Sequence, residues 1–186
     1  MNKKIAVIFP GIGYHADKPL LYYGRQVACE CGYTDYINIK YTSQAKNIRG
    51  DKEKMKAAYE ELYHQAKEQL KDINWQEYDD ILFLSKSIGT IIATSYAANM
   101  GIQNVKHVLY TPLEYTFGYE IRQAIAFIGD NDPWSHLEDV KKLAEIKKVP
   151  LHIYKECNHS LESESTRYNL EILNQVMEET YTFCKE

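Results

Sequence analysis

The sequence predicts an α/β protein: a three-layer α/β/α sandwich around a parallel six-stranded sheet. Three observations carry that expectation. Short, continuous apolar runs rich in β-branched residues recur along the chain, the mark of strands buried on both faces. Segments of helical period lie between most of them, long enough for the right-handed crossovers that parallel strands require. With 186 residues, 45% of them hydrophobic, the chain suits a single domain over residues 1–186 with a full core.

Lys4-Ile5-Ala6-Val7-Ile8-Phe9 reads as the first strand, broken by the glycine-rich loop Pro10-Gly11-Ile12-Gly13-Tyr14. Pro19 opens a helix whose inner side is Leu20, Leu21, Gly24, Val27 and Ala28. Tyr36 to Ile39 is the second strand, and the polar stretch from Thr42 to Gly50 reads as a mobile surface loop. From Asp51 to Leu70 apolar residues recur with helical spacing (Met55, Ala58, Tyr59, Leu62, Tyr63, Ala66). Ile81 to Leu84 is strand three, followed at once by a helix from Ile88 to Asn99 made of small and β-branched residues. Val105 to Tyr110 and Ala124 to Ile128 are strands four and five. Ser135 is placed to cap a helix carrying Leu137, Val140, Leu143, Ala144 and Ile146. Pro150 to Tyr154 is strand six, and a long helix from about Leu161 ends the pattern.

Composition narrows the partners. Charge is nearly balanced, 22 Lys+Arg against 26 Asp+Glu, so no basic face for nucleic acid is expected. The N-terminal apolar run Ile5–Phe9 is shorter than the roughly 7–15 residues of a signal-peptide core. No run approaches the ~20 residues of a membrane span, and the expectation is a soluble, cytoplasmic protein with no membrane partner. Its four cysteines are expected to be reduced thiols. Cys29-X-Cys31 has no second pair, so no metal site is expected. The composition leaves the oligomeric state open. Sixteen tyrosines suit half-buried surface and pocket walls.

In an open parallel sheet, ligands gather beyond the carboxyl ends of the strands. Polar residues follow four of them here: Gly11 to His15, Ser85-Lys86-Ser87, Gly129-Asp130-Asn131-Asp132-Pro133, and Cys157-Asn158-His159-Ser160. Strand three runs into small-X-Ser-X-Gly with a helix directly behind it. A strand ending so must turn sharply and leave one hydroxyl at the tip, with small residues where strand and helix cross. If Ser85 were at the tip, bulky Phe83 would stand at the crossing; with Ser87 the flanking residues are Ser85 and Gly89. Ser87 is therefore the expected nucleophile and Ser85 a structural residue. On the residues alone the acid is Asp130 or Asp132. His159 stands out by its place after the last strand, whereas His15, His64, His107, His136 and His152 read as ordinary solvent-exposed histidines.

The order Ser…Asp…His, with the serine on a strand–turn–helix, resembles the α/β-hydrolase family over essentially the whole chain. Gly-X-X-Asp-Pro at 129–133 and Asn-His-Ser-Leu at 158–161 are similar to that family's acid and histidine segments. The resemblance implies a minimal, cap-less α/β-hydrolase fold lacking the N-terminal antiparallel strands of larger members. It also implies a Ser87–His159–Asp132 triad, with family spacing favouring Asp132 and leaving Asp130 as a turn residue. The oxyanion donors it implies are the backbone N–H of Ile88 and one from the glycine-rich loop, Ile12 ahead of Gly13. A dinucleotide fingerprint fits that loop poorly, for want of a third glycine and of an acid ending strand two.

The short segment after strand four supplies an aromatic wall from Tyr115 and Phe117; Gly13, Tyr14 and Lys86 are further candidates to line the substrate site. Lys86 either favours an anionic substrate or snorkels into solvent. The expected activity is that of a cofactor-free serine hydrolase of carboxylesterase or thioesterase type on a small to medium ester or thioester. Alternatives are a non-catalytic ligand- or partner-binding protein on the same fold, or an acyltransferase or peptidase with the same triad.

Overall fold

The apolar runs all pair into one sheet. In the computed structural model, which describes residues 2–186, the strands are β1 (Lys4–Phe9), β2 (Asp35–Asn38), β3 (Asp80–Lys86), β4 (Val105–Tyr110), β5 (Gln123–Gly129) and β6 (Leu151–Tyr154). They are parallel throughout and lie in the order β2-β1-β3-β4-β5-β6.

Alternation along each strand divides the core into two layers. Ala6, Ile8, Leu82, Leu84, Val108, Tyr110 and Phe127 face α1 (Pro19–Glu30) and α5 (Thr166–Lys185). Ile5, Val7, Phe9, Ile81 and Phe83 face α2 (Lys52–Gln69) and α3 (Ile88–Asn99), while Leu109, Ala126 and Ile128 meet α4 (Leu137–Ile146). The central strands β3, β4 and β5 are buried almost end to end, which is why they read as unbroken apolar runs. Edge strand β2 is mostly open to solvent. Helix α5 buries Ile172, Val176, Thr180 and Cys184, one residue per turn. Helix α3 is buried on every side from Ile88 to Ala97, in keeping with its lack of charged residues and its wealth of small and β-branched ones. Among the described residues no helix is long and apolar enough to cross a membrane.

Four local expectations change. Ser135 does not cap α4: the cap position is His136, without a side-chain bond, and Ser135 Oγ donates instead to the Pro112 carbonyl at 3.0 Å. The last helix begins at Thr166, not near Leu161. Asn158 Oδ1 accepts from the Ser160 and Glu162 N–H groups, a turn that competes with helix, and Ser165 provides the cap further on. The 42–50 stretch is not a free surface loop. Gln65 brackets the backbone of Thr42, and Ile48 is buried against the α2–α3 layer. His107 is not solvent-exposed but wholly enclosed, and burial pushes its pKa down to about 3.

Candidate active site

Strand order reverses on the two sides of β1, so β1 and β3 frame the switch point of the sheet, and the site lies there. At the end of β3 the chain turns through Ser87, whose φ of +57° and ψ of −127° are costly for a residue with a Cβ, about 1–3 kcal/mol. The turn is held from several sides. Ser87 N donates to the Tyr110 carbonyl at 3.1 Å, Thr90 N to the Ser87 carbonyl at 2.8 Å, and Thr90 Oγ1 to the same carbonyl at 2.6 Å. Ser85 is fully buried and its hydroxyl donates to the Val108 carbonyl, a structural role. Gly89 sits where α3 passes over β1: a Cβ there would lie 2.3 Å from the Phe9 carbonyl oxygen.

The loops after β5 and β6 interlock beside this turn. Asn131 N donates to the Cys157 carbonyl, and Glu156 N to Asp130 Oδ1. A Cβ on Gly129 would stand 2.0 Å from the Cys157 carbonyl oxygen, so only glycine lets the two loops meet. The crossing sets His159 between Asp132 and Ser87. His159 Nδ1 is 2.6 Å from Asp132 Oδ2, and Nε2 is 2.7 Å from Ser87 Oγ. A carboxylate only accepts, so the ring proton sits on Nδ1 and Nε2 accepts from the serine hydroxyl. The other Asp132 oxygen accepts from Trp134 N at 2.9 Å, and the Trp134 indole stacks on the imidazole with centroids 5.5 Å apart. Burial lowers the His159 pKa, the Asp132 hydrogen bond opposes that, and the Lys86 charge adds to the lowering. Asp130, exposed, is a turn residue.

The glycine-rich loop after β1 is a tight turn. Gly11 N donates to the Tyr14 carbonyl and Tyr14 N to the Gly11 carbonyl, which leaves the N–H groups of Ile12 and Gly13 uncommitted. Ile12, Gly13 and Ile88, the last at the open N-terminus of α3, all border the Ser87 cleft. That cleft measures about 150 Å³. A hollow of about 400 Å³ lies beyond the Ile12–Gly13 turn, reaching Asn38 and Tyr41, and the two share that turn as a common wall.

Gly13, Tyr14 and Lys86 line the cleft. Tyr115 and Phe117 do not. The segment after β4 forms a short 3-10 turn, Glu114–Gly118, pinned to α3 where the Thr90 and Thr116 hydroxyls meet and Thr94 Oγ1 donates to the Thr116 carbonyl. That draws Phe117 into the α4 layer, 2% exposed, and leaves Tyr115 61% exposed away from the serine. The wall is built instead from Ile48, Met55, Leu113 and Trp134, with Lys18 and Ser160. Of these, Trp134 is the one the sequence signals, since it follows directly on Asp132-Pro133; Ile48 and Met55 come from segments with no signal. Lys86 does not snorkel outward: it is 1% exposed, its ammonium 4.9 Å from the Tyr14 ring centre. Among the described residues no cluster of three His, Cys, Asp or Glu side chains is placed to hold a metal ion.

No family model matches the sequence, and neither does any curated protein. Solved structures do match over nearly its whole length. An esterase of Pyrococcus furiosus superposes with a TM-score of 0.65 at 14% identity, covering 99% of this chain and 83% of that one. An α/β serine hydrolase homologue from Coxiella burnetii gives 0.61 at 14% identity, covering 95% and 84%. The Bacillus cereus carboxylesterase gives 0.55 at 18% identity, covering 96% and 89%.

Proposed function

We propose that this chain, which has the α/β-hydrolase fold, is a serine esterase acting on small esters or thioesters through an acyl-enzyme on Ser87. One observation carries the reading: the continuous relay Ser87 Oγ–His159–Asp132 at 2.7 and 2.6 Å, assembled at the switch point of the sheet. His159 Nε2 takes the Ser87 proton as Oγ bonds to the acyl carbon, while Asp132 holds the tautomer and stabilises the imidazolium. The N–H groups of Ile88 and Ile12 receive the oxyanion, with Gly13 the alternative on the same turn, each donor worth about 3–4 kcal/mol in the transition state. Collapse breaks the bond to the leaving group, which departs with the proton from His159. A water then gives its proton to His159, attacks the acyl-enzyme and releases the acid and free Ser87. The reaction draws on no cofactor. The esterases and hydrolases that share the fold add support to this choice of chemistry.

The test is covalent labelling. A fluorophosphonate is expected to mark Ser87, located by mass spectrometry, and the mark is expected to vanish in Ser87→Ala. The acyl burst with p-nitrophenyl acetate is expected to fall at least about a thousandfold in Ser87→Ala and His159→Ala. Folded protein that takes no label and shows no burst would instead be a binding protein on this fold.

A further inference from the structure

Two lysines and no carboxylate line the Ser87 cleft. They come from different elements, Lys18 at the start of α1 and Lys86 at the end of β3, yet converge on one ring. Their ammonium groups lie 5.8 and 4.9 Å from the centre of Tyr14. The ring is held in place, because Tyr14 OH accepts from Leu20 N in the first turn of α1. Neither ammonium group makes a hydrogen bond or ion pair among the described residues. The nearby carboxylates have other partners: Asp132 holds His159 and Trp134 N, and Asp17 faces Arg25 at 3.8 Å. Glu162, whose charge is felt at Tyr14, pairs with neither lysine.

Lys86 is the sharper anomaly. A buried ammonium with only a ring face and a carboxylate at longer range regains little of the hydration it loses, and chains rarely keep one without a use for it. Burial pulls its pKa down to about 7 against the opposing charge of Asp132, so part of the population is uncharged at neutral pH. An anion entering the cleft would restore the charge and supply the missing partner.

We infer that the Ser87 cleft selects esters carrying an anionic group, a carboxylate or a phosphate, held between Lys86 and Lys18 beside the scissile bond. This rests on the esterase reading and specifies its substrate class. Tyr14 serves as the floor on which both ammonium groups are oriented. A neutral ester of the same size fills the same space but leaves Lys86 desolvated and unpaired.

Matched substrates test it. Methyl butyrate and monomethyl glutarate differ by one carboxylate on the acyl side; glyceryl monoacetate and acetylglycerol 3-phosphate differ by one phosphate on the alcohol side. Acid release at pH 7 and low salt is expected to favour the charged member of at least one pair by about tenfold or more in kcat/KM. Which pair responds tells whether the anion sits on the acyl or the alcohol side. The ratio of charged to neutral is expected to fall about fivefold or more in Lys86→Met. It is expected to fall in Lys18→Met too, a change on the exposed rim that keeps the test valid should the buried variant fold poorly. A ratio near one in both pairs, or one unmoved by both substitutions, overturns the inference and leaves the esterase standing. No turnover of any substrate, with no fluorophosphonate label, removes both.

Discussion

Ser87 and His159 are linked through strain and burial as well as through a hydrogen bond. The disfavoured φ at Ser87 lifts its hydroxyl off the sheet, and the stacked Trp134 ring helps bury the imidazole that meets it. Because burial is the largest influence on His159, its folded pKa lies below the ordinary histidine value, despite the opposing bond from Asp132. The sign follows: the neutral, proton-accepting form persists to lower pH than in a free imidazole. The acid limb of kcat/KM for a neutral ester is expected below the 6.5 of an unperturbed histidine, and a pH–rate profile checks it. A limb at or above that value would contradict the buried environment. At this scale the turn at Ser87 was legible, since Phe83 cannot stand at the crossing and Ser85 and Gly89 can. The fate of Lys86 was not. Its pairing opposite Tyr110 draws it under the Tyr14 loop, and register is set by partners distant in the chain.

Elements meet here through backbone contacts that only the smallest residue permits. In Gly89→Ala the new methyl would press on the Phe9 and Pro10 carbonyls, 2.3 and 2.5 Å away, both backbone atoms with little room to yield. The expected loss is about 1–3 kcal/mol or more, read as a lower urea midpoint at unchanged slope. Fluorophosphonate labelling of the folded fraction is expected to slow as well, since the displaced carbonyls lead directly into the Gly11–Tyr14 turn. Strands β1, β3, β4 and β5 were readable because burial on both faces forces unbroken apolar runs. Ends were less so. Ser135 had the chemistry of a cap but found the Pro112 carbonyl, and the polar stretch before α5 was taken up by Asn158 and Ser163.

For the whole molecule, the short connection after β4 decides what can enter. It packs against α3 and α4 instead of arching over the serine, so the cleft stays near 150 Å³. Among p-nitrophenyl esters from acetate to decanoate, kcat/KM is expected to peak at the shortest chains and to fall about tenfold or more by octanoate. A maximum at decanoate would mean that the acyl chain passes over the Ile12–Gly13 turn into the larger hollow at Asn38 and Tyr41.

What the sequence determined by itself was the set of parallel strands and which polar residues follow their ends: buried strands must be apolar throughout, and a hydroxyl at a sharp turn must have small neighbours. It also pointed to His159 and to Asp130 or Asp132 in the loops after β6 and β5, which the structure brings beside Ser87. The residues alone left Asp130 and Asp132 open, and the family resemblance favoured Asp132; in the structure Asp132 meets His159 while Asp130 accepts from Glu156 N. Only the tertiary structure decided that Phe117 turns inward, Tyr115 outward, and Lys86 beneath a ring shared with Lys18. Those outcomes depend on packing between segments far apart in the chain, which no local pattern records.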